Sequence, residues 1–448
     1  MRVLLQIRPD HEGRSGGDST QVRETLTELR ARGVAADLST ALAPDLNGYD
    51  LVHVFNTQAI DVPLQQVVHA RTWGRPVVLS PIYWDLAPFR RATRPASEGD
   101  DPLVRALDRL ERARQAFVVG AAALLLPNSQ AEAEQLRASF PAEFARTTVR
   151  VVPNGVDGRF ASGDAARFCA RHGLEPRAFV LCVGRKEEPK NQLRLIEACA
   201  ALGRPLVLAG AEPPEFAAYL ARCREAAASS GARVLFLPHL AADELADAYA
   251  AARVHVLPSW HETVGLVSLE AAVGGCNVVS TANSGAAEYL GGAAWYCDPR
   301  SVDSIREAVA SAYAAPLRPQ LGAALAGRYT WRRAAEETLR GYEEVMADHR
   351  RRDEQTPPRW LPDLPHEEYV AHLEDLLRLQ IEAMAHRDDQ YRSLEDYARG
   401  VEQAYQVLQT NAQEQQQYIL RLEAALRATQ RRSVRSLLTR LWRRRGRP

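Results

Sequence analysis

Two runs of alternating strand-like and helix-like segments constrain this chain more than any other feature. In the first run, short apolar segments such as RVLLQI, DLVHVF and RPVVLS alternate with longer segments of helical periodicity. The alternation restarts at FVLCVGR and continues through PLVLAG, RVLFLP, VHVLPS and NVVST to the helical segment SVDSIREAVASAYA. Strands that alternate with helices are typical of parallel βαβ units. The pattern therefore predicts two doubly wound α/β domains, which we assign to residues 1–157 and 158–350.

Two carboxylates stand at the end of one predicted strand of the second domain. In HETVGLVSLE (261–270), Glu262 follows the strand VHVLPS and Glu270 lies in the predicted helix after it. Ligands of doubly wound sheets bind outside the carboxyl ends of the strands. Glu262 is therefore placed where a ligand would lie, with Glu270 one or two helical turns behind it. A pair of acids alone is a weak signal, because such pairs are commonly solvated.

The chain changes character after residue 355. TPPRWLPDLP (356–365) contains four prolines and is typical of a stiff linker. Over 366–430, mostly apolar residues recur at alternating steps of three and four from Val370 to Leu426, which is an a/d seam of roughly eight heptads. Gln380, Arg387 and Gln415 weaken this seam but do not end it. A single helix cannot bury such a seam. We therefore predict a coiled coil and a homo-oligomer, with a lone solvated helix as the alternative.

The last 18 residues are basic, whereas the whole chain has a net charge of +0. They contain eight arginines and no acid, so the preceding residues are net negative. Residues 431–448 predict a basic amphipathic helix on an anionic membrane surface. A frayed tail or a nucleic-acid contact is the alternative, and we expect no nucleic-acid partner. The apolar face of the predicted helix carries Val434, Leu437, Leu438, Leu441 and Trp442.

Cysteine usage and hydropathy indicate a cytoplasmic protein. All six cysteines lie between Cys169 and Cys297 without a CxxC pair, which favours reduced core thiols over a zinc site or disulfides. The chain opens without a basic and apolar leader, and it has no run of 18 apolar residues. We therefore expect neither a secretion signal nor a membrane-spanning helix.

Five motifs follow one another along the chain: GGDSTQ, VVPNGVD, VGRKEEPKNQLRLIEA, PSWHETVGLVSLEAAVGGCNVVST and YTWRRAAEETLRGYEEV. They resemble the glycine loop, the interdomain motif, the basic loop, the donor-site signature and the returning helix of retaining GT-B glycosyltransferases of the family 4 type. The resemblance spans about residues 1–350. It implies two Rossmann-like domains that face a cleft, the first on the acceptor side and the second on the nucleotide-sugar side.

The resemblance implies a nucleoside-diphosphate sugar as the donor substrate, with no metal and no cofactor. Charge develops on the departing diphosphate, so a metal-free site needs cations of the protein, for which Arg185 and Lys190 on the basic loop are the candidates. Backbone N–H groups at the start of the helix after Glu262 would add donors for the phosphates. These N–H groups belong to Gly265, Leu266 and Val267.

The same resemblance separates the roles of the two acids. Glu270 would accept hydrogen bonds from the ribose hydroxyls, and Glu262 would face the hydroxyls and the reaction centre of the donor sugar. Gly16 and Gly17 would let the backbone of the first domain approach the diphosphate or the sugar. The anomeric configuration would be retained by front-face attack without a covalent nucleophile. An ordinary turn at a helix start is the alternative reading of the two glycines.

The chain departs from the family pattern in two places. Many relatives have a histidine after the strand that corresponds to RPVVLS, whereas this chain reads PIYWDLAPF. Tyr83, Trp84 and Asp85 are the acceptor-side candidates in its place, and a different acceptor chemistry is the alternative. The segment HETVGLVS also differs from the more common EGFGLP, which leaves the donor sugar open.

These features predict a hexosyltransferase that acts on a lipid-linked or growing glycan in cell-surface polysaccharide biosynthesis. The basic tail places it at the inner face of the plasma membrane. A nucleotide-sugar epimerase and a soluble glucan synthase are alternatives with the same fold. An inactive head that serves as a coiled-coil scaffold is a third.

Overall fold

A computed structural model describes residues 1–14, 16–93, 102–282 and 284–355. The predicted linker (356–365), coiled coil (366–430) and basic tail (431–448) lie outside the described residues and remain predictions. Within the described part of the chain, no helix is both long enough and apolar enough to cross a membrane.

The first sheet contains six parallel strands in the order β2-β1-β3-β4-β5-β6. The strands are β1 (Arg2–Gln6), β2 (Ala35–Ser39), β3 (Leu51–Phe55), β4 (Val77–Ser80), β5 (Leu124–Leu125) and β6 (Thr148–Val149). The helices are α1 (Gly17–Ala31), α2 (Asp61–Thr72), α3 (Ala87–Thr93), α4 (Pro102–Ala121), α5 (Gln130–Ser139) and α6 (Pro141–Phe144). The strand order changes direction between β1 and β3, which marks the switch point of this sheet.

The second sheet contains six parallel strands in the order β12-β11-β10-β7-β8-β9. Its strands are β7 (Val180–Val183), β8 (Leu206–Ala209), β9 (Val234–Leu237), β10 (Val254–Leu257), β11 (Asn277–Thr281) and β12 (Trp295–Cys297). The helices are α7 (Ala165–His172), α8 (Gln192–Leu202), α9 (Ala217–Ser230), α10 (Ala242–Ala251), α11 (Leu266–Val273), α12 (Ala286–Leu290), α13 (Val302–Ala314), α14 (Pro319–Arg328) and α15 (Trp331–Gln355). Its switch point lies between β7 and β10.

The central strands are apolar because helices cover both faces of each sheet. Every residue of β3 (LVHVF), β7 (VLCV) and β10 (VHVL) is buried. Buried apolar residues form two clusters around each sheet. Continuous apolar runs are what parallel strands need in this arrangement. The predicted fold class, with two doubly wound parallel sheets, is confirmed. All six cysteines lie buried as free thiols, as their positions in the predicted core strands and helices indicate.

Helix α15 returns from the second domain and packs against the first sheet. Trp331, Tyr342 and Val345 of this helix share a buried cluster with residues of β1. The Tyr342 hydroxyl lies 2.6 Å from His53 Nδ1. Burial lowers the pKa of His53 to about 3, so the imidazole is neutral. The returning helix therefore completes the core of the first domain, as the family resemblance implies.

The β-branched residues of VRVVPNGVD (149–157) predict a strand that ends in an Asn-Gly turn, but most of this segment is not a strand in the structure. Only Thr148–Val149 pairs with the sheet, and the chain then runs between the domains in irregular conformation. The Arg150 N–H still donates to the Leu125 carbonyl of β5 (3.0 Å). Val152 and Val156 donate outside the strands, to the carbonyls of Pro127 (2.8 Å) and Tyr329 (3.0 Å). Loops of the two domains thus supply the hydrogen-bond partners of Val152 and Val156.

Gly155 is the tightest point of this crossing, and Gly155→Ala should destabilise the protein. A Cβ at Gly155 would lie 2.1 Å from the Trp331 nitrogen and 2.6 Å from the Thr330 carbonyl carbon. Both are backbone atoms at the start of α15, so they cannot move aside as a flexible side chain could. We expect a loss of about 3 kcal/mol in the free energy of unfolding, measured by chemical denaturation. Gly158→Ala is the matched control, because nothing lies within 4 Å of a Cβ there. Equal stability of the two variants would contradict this account of the crossing.

Candidate functional site

Glu262 and Lys190 form an ion pair at the carboxyl ends of β10 and β7. Lys190 Nζ donates to Glu262 Oε1 over 2.6 Å. The loops that carry them are joined by a hydrogen bond from the Trp260 N–H to the Pro189 carbonyl (2.9 Å). Burial acts to raise the pKa of Glu262, but the charge and the hydrogen bond of Lys190 hold it below its ordinary value. Glu262 is therefore an ionised carboxylate in a nearly buried position.

Arg185 and Lys186 are neighbours with different environments. Arg185 follows β7, remains 33% exposed and donates to Glu187 Oε1 over 3.0 Å. Lys186 is only 2% exposed, and its Nζ donates to the carbonyls of Gly210 and Leu237 over 2.6 Å each. Lys186 therefore holds strand ends together, while Arg185 retains an accessible guanidinium.

The start of α11 lies directly behind Glu262. Gly265 precedes this helix with φ = 70°, a backbone conformation that favours glycine. A Cβ there would also lie 3.3 Å from Leu257 Cδ2 and 3.8 Å from Glu262 Cγ. The first N–H groups of an α-helix have no partner within the helix. The backbone N–H groups of Leu266 and Val267 are thus available at the same end of the sheet as Glu262.

The glycine loop of the first domain faces this region. A Cβ at Gly16 would lie 3.9 Å from Arg185 Nη1, and one at Gly17 would lie 3.8 Å from Leu266 Cδ1. The structure thus brings both glycines against candidate residues of the second domain, although about 170 residues of chain separate Gly16 from Arg185. Asp18 anchors the loop through an ion pair with Arg8 (2.8 Å).

Glu270 lies on α11, in an environment that differs from that of Glu262. It is partly exposed, and its Oε2 accepts a hydrogen bond from the Tyr249 hydroxyl over 3.0 Å. Burial raises the pKa of Glu270 to about 7, against the Tyr249 hydrogen bond, and the negative charge of Asp157 adds to the increase. The two acids of HETVGLVSLE therefore differ in protonation near neutral pH.

The three acceptor-side candidates occupy different positions in the first domain. The Tyr83 ring packs in the core against Phe140, and its hydroxyl donates to Ser139 Oγ over 2.9 Å. Trp84 is almost completely buried. Asp85 is partly exposed, and its Oδ1 accepts the Ala87 N–H at the start of α3. Of the three, Asp85 alone keeps an accessible side chain.

Helix α3 reaches the donor-signature loop through Phe89, which the sequence analysis did not single out. The Phe89 ring lies 5.7 Å from the Trp260 ring and 6.1 Å from the His261 ring, between centroids. Burial lowers the pKa of His261 to about 4, so this imidazole is neutral. Aromatic side chains of the two domains thus meet next to Glu262.

A polar network joins the domains beside the glycine loop. Gln21 Nε2 donates to Asn128 Oδ1 (2.9 Å), and Asn154 Nδ2 donates to Gln21 Oε1 (3.3 Å). The Asn154 N–H donates to the Tyr289 hydroxyl (2.8 Å), which donates to the Asn128 carbonyl (2.7 Å). Gln21 and Asn154 lie within quoted motifs, whereas nothing in the sequence distinguished Asn128 and Tyr289.

Glu288 is a further residue that the sequence analysis missed. It lies on α12 of the second domain, and its carboxylate accepts the N–H groups of Gln130 and Ala131, the former over 2.7 Å. These are the first two residues of α5 in the first domain. A carboxylate at a helix N-terminus is favoured by the helix dipole. Glu288 thus caps a helix of the opposite domain.

The sequence relatives are glycosyltransferases. Residues 177–315 match the family described as Glycosyl transferases group 1. A D-inositol 3-phosphate glycosyltransferase of Mycolicibacterium gilvum is 31% identical over 391 residues, covering 75% of this chain and 87% of that protein. A protein of the same name from Nocardioides sp. is 29% identical over 405 residues, with the same coverage of 75% and 87%. A third, from Actinosynnema mirum, is 34% identical over 230 residues, covering 48% of this chain and 52% of that protein.

Solved structures share the arrangement of two domains. Sucrose-phosphate synthase from Thermosynechococcus elongatus superposes with a TM-score of 0.62 at 17% identity, covering 78% of this chain and 100% of that one. HepE from Anabaena, solved with UDP and glucose, gives a TM-score of 0.59 at 17% identity, covering 77% of this chain and 99% of that one. At these identities the likeness establishes the fold alone, which is GT-B.

Removing Lys190 should reverse the pH dependence that Glu262 contributes to stability. In the wild type, the lowered pKa of Glu262 gives stability that is present above its unfolded pKa and lost as the pH falls through its folded pKa. In Lys190→Met, burial without the cation should raise this pKa above its ordinary value. The variant should therefore lose about 1–3 kcal/mol relative to wild type at pH 8 and less at pH 4.5, measured by urea denaturation.

The double variant Lys190→Met/Glu262→Gln is the control for this prediction. It leaves no unpaired charge at the site, so it should recover part of the loss at pH 8. An equal deficit of Lys190→Met at both pH values would show that the ion pair does not set the protonation of Glu262.

Proposed function

Because the chain belongs to the group 1 glycosyl transferases and has the GT-B fold, we propose that it transfers a hexose from a nucleoside-diphosphate sugar with retention of the anomeric configuration. The observation that carries the proposal is the cluster of Arg185, Lys190 and Glu262, which the glycine loop at Gly16 approaches from the opposite domain. Two cations and an ionised carboxylate at the ends of β7 and β10 suit an anionic donor whose leaving group gains charge. No metal ion takes part in the proposed mechanism.

In this proposal, the second domain holds the nucleotide half of the donor. Glu270 accepts hydrogen bonds from the ribose hydroxyls. Arg185 and Lys190 contact the diphosphate, together with the N–H groups at the start of α11. An ammonium group has three donors, so Lys190 can keep its bond to Glu262 while it donates to a phosphate oxygen. This arrangement stabilises the charge that appears as the glycosidic bond breaks.

The proposed reaction needs no covalent intermediate on the protein. The bond from the anomeric carbon to the phosphate oxygen breaks, and a bond forms from the same carbon to the acceptor oxygen on the same face. The acceptor proton passes to an oxygen of the departing phosphate. The ionised Glu262 orients the sugar hydroxyls and stabilises positive charge at the anomeric carbon. The neutral His261 and the Phe89 ring lie next to this position.

Two acceptor classes compete within the proposal. The predicted basic tail (431–448) favours a lipid-linked or growing glycan at the inner face of the plasma membrane, with the enzyme in the cytoplasm. The relatives named D-inositol 3-phosphate glycosyltransferase favour a small cyclitol phosphate instead. Measuring product formation with an acceptor of each class distinguishes these two possibilities. An epimerase would convert the donor without an acceptor. A scaffold would neither convert the donor nor transfer its sugar.

Donor binding tests the proposal directly. UDP, GDP, ADP and dTDP are titrated calorimetrically into the full chain without metal, using wild type, Arg185→Ala and Glu270→Ala. We expect one of the four to bind the wild type and both variants to weaken it, and the Arg185→Ala variant to lower the transfer rate about 100-fold. Arg306→Ala, which removes a partly exposed arginine of α13, is the matched control and should bind like wild type. A folded wild type that binds none of the four would favour the scaffold reading.

Deleting residues 366–448 tests the proposed oligomer and membrane contact. The remaining chain includes every described residue, so it should keep its nucleotide affinity. We expect its size by light scattering to fall to that of a monomer and its recovery on vesicles of anionic lipid to fall. Unchanged size and unchanged vesicle recovery would reject both roles for the C-terminal region.

A further inference from the structure

Tyr249 forms a hydrogen bond with Glu270, the candidate ribose-binding acid, from within the core of the second domain. It lies on α10, is fully buried, and its hydroxyl donates to Glu270 Oε2 over 3.0 Å. Helices α10 and α11 pack against each other, and the contact joins the last turn of α10 to the middle of α11. Tyr249 lies 21 residues before Glu270, and no sequence motif singled it out.

The Tyr249 ring is held on several sides. The Phe160 and His255 rings meet it edge-on, at centroid distances of 5.7 and 5.9 Å. At Gly274, a Cβ would lie 2.4 Å from Tyr249 Cβ, so only glycine leaves room for this packing. The Cys276 thiol donates to the Tyr249 carbonyl over 3.1 Å. The position of the hydroxyl is therefore fixed by the core of the second domain.

Glu270 combines a fixed oxygen with an available one. Its Oε2 is bound by Tyr249, whereas Oε1 receives no hydrogen bond from the described residues. The residue is partly exposed. A carboxylate oxygen has two lone pairs, so Oε2 can still accept a second donor. The hydrogen bond from Tyr249 restricts the orientation of the Glu270 carboxylate. The remaining lone pairs of this carboxylate stay open to a ligand.

We propose that Tyr249 is a positioning residue that orients the Glu270 carboxylate toward the two adjacent ribose hydroxyls, and thereby sets the preference for ribonucleotides over their deoxy forms. A glutamate without such a contact must lose side-chain freedom when a ligand binds, which weakens binding. Tyr249 supplies that order before the ligand arrives. The inference rests on the proposed function, since it assumes that Glu270 contacts ribose.

The test compares nucleotides that differ only in the ribose hydroxyls. UDP, GDP and ADP and their 2′,3′-dideoxy analogues are titrated into the full chain as wild type and as Tyr249→Phe. This substitution keeps the ring and removes the hydroxyl. We expect the Kd of the ribonucleotide that binds to rise roughly tenfold, because a hydrogen bond to a carboxylate is lost. The Kd of its dideoxy analogue should change by less than about twofold.

A role in packing alone would weaken both forms of the nucleotide equally, and that result would overturn the proposal. Unchanged affinity for the ribonucleotide would overturn it as well. Failure of the wild type to bind any nucleotide is a different outcome, because it rejects the proposed function on which the inference rests. Tyr342→Phe is the control, since it removes another fully buried hydroxyl, which bonds to His53 in the first domain. It should leave both affinities unchanged.

A second variant covers the case in which Tyr249→Phe does not fold. Phe160→Leu keeps the Tyr249 hydroxyl but loosens one side of its packing. It should give a smaller loss of affinity that is again confined to the ribonucleotide. Tyr249→Phe should also add no further loss for the ribonucleotide in a Glu270→Ala background, because the two residues act in one contact. Additive losses would overturn the proposal.

Discussion

The architecture depends on one constraint, which is that a parallel sheet must be covered by helices on both faces. Only the edges where strands end are then free to carry loops with polar groups. Glu262, Lys190 and Arg185 all lie at the carboxyl ends of β7 and β10. The glycine loop lies at the corresponding end of β1 in the first sheet. The charged groups of the candidate site therefore lie where these two ends meet, and the return of α15 to the first sheet keeps the two ends together.

The two acids of HETVGLVSLE show how environment separates residues of one chemical type. Glu262 stays ionised because Lys190 lies 2.6 Å away, although burial opposes its charge. Glu270 has a neutral tyrosine hydroxyl as its partner, so burial prevails and its pKa is about 7. Glu262 thus keeps its charge near neutral pH, whereas Glu270 can exchange a proton there. This difference suits an orienting role for Glu262 and a ligand-linked role for Glu270.

The sequence predicted what local composition determines. Patterns within about ten residues predicted the apolar strands β3, β7 and β10, the glycine before α11 and the position of Glu262 at a strand end. Contacts between distant segments could not be predicted in the same way. Tyr249 and Phe89 reach the site only through packing of helices. In VRVVPNGVD the strand ends at Val149, because Val152 and Val156 find their hydrogen-bond partners outside the strands. Tyr83 was a candidate by position, but its side chain lies in the core because its hydroxyl and ring find partners there.

The contact of Glu288 with α5 has a mechanical consequence. The first two N–H groups of this helix are satisfied by a carboxylate of the other domain, and Ser129 Oγ accepts the Glu132 N–H from within the first domain. Moving the domains apart must therefore expose helix donors to water and leave Glu288 without its partners. Separating the domains and fraying the start of α5 both break the same hydrogen bonds to Glu288, so the two events are energetically linked. The contact of Glu288 with α5 therefore couples the stability of this helix to the distance between the two domains.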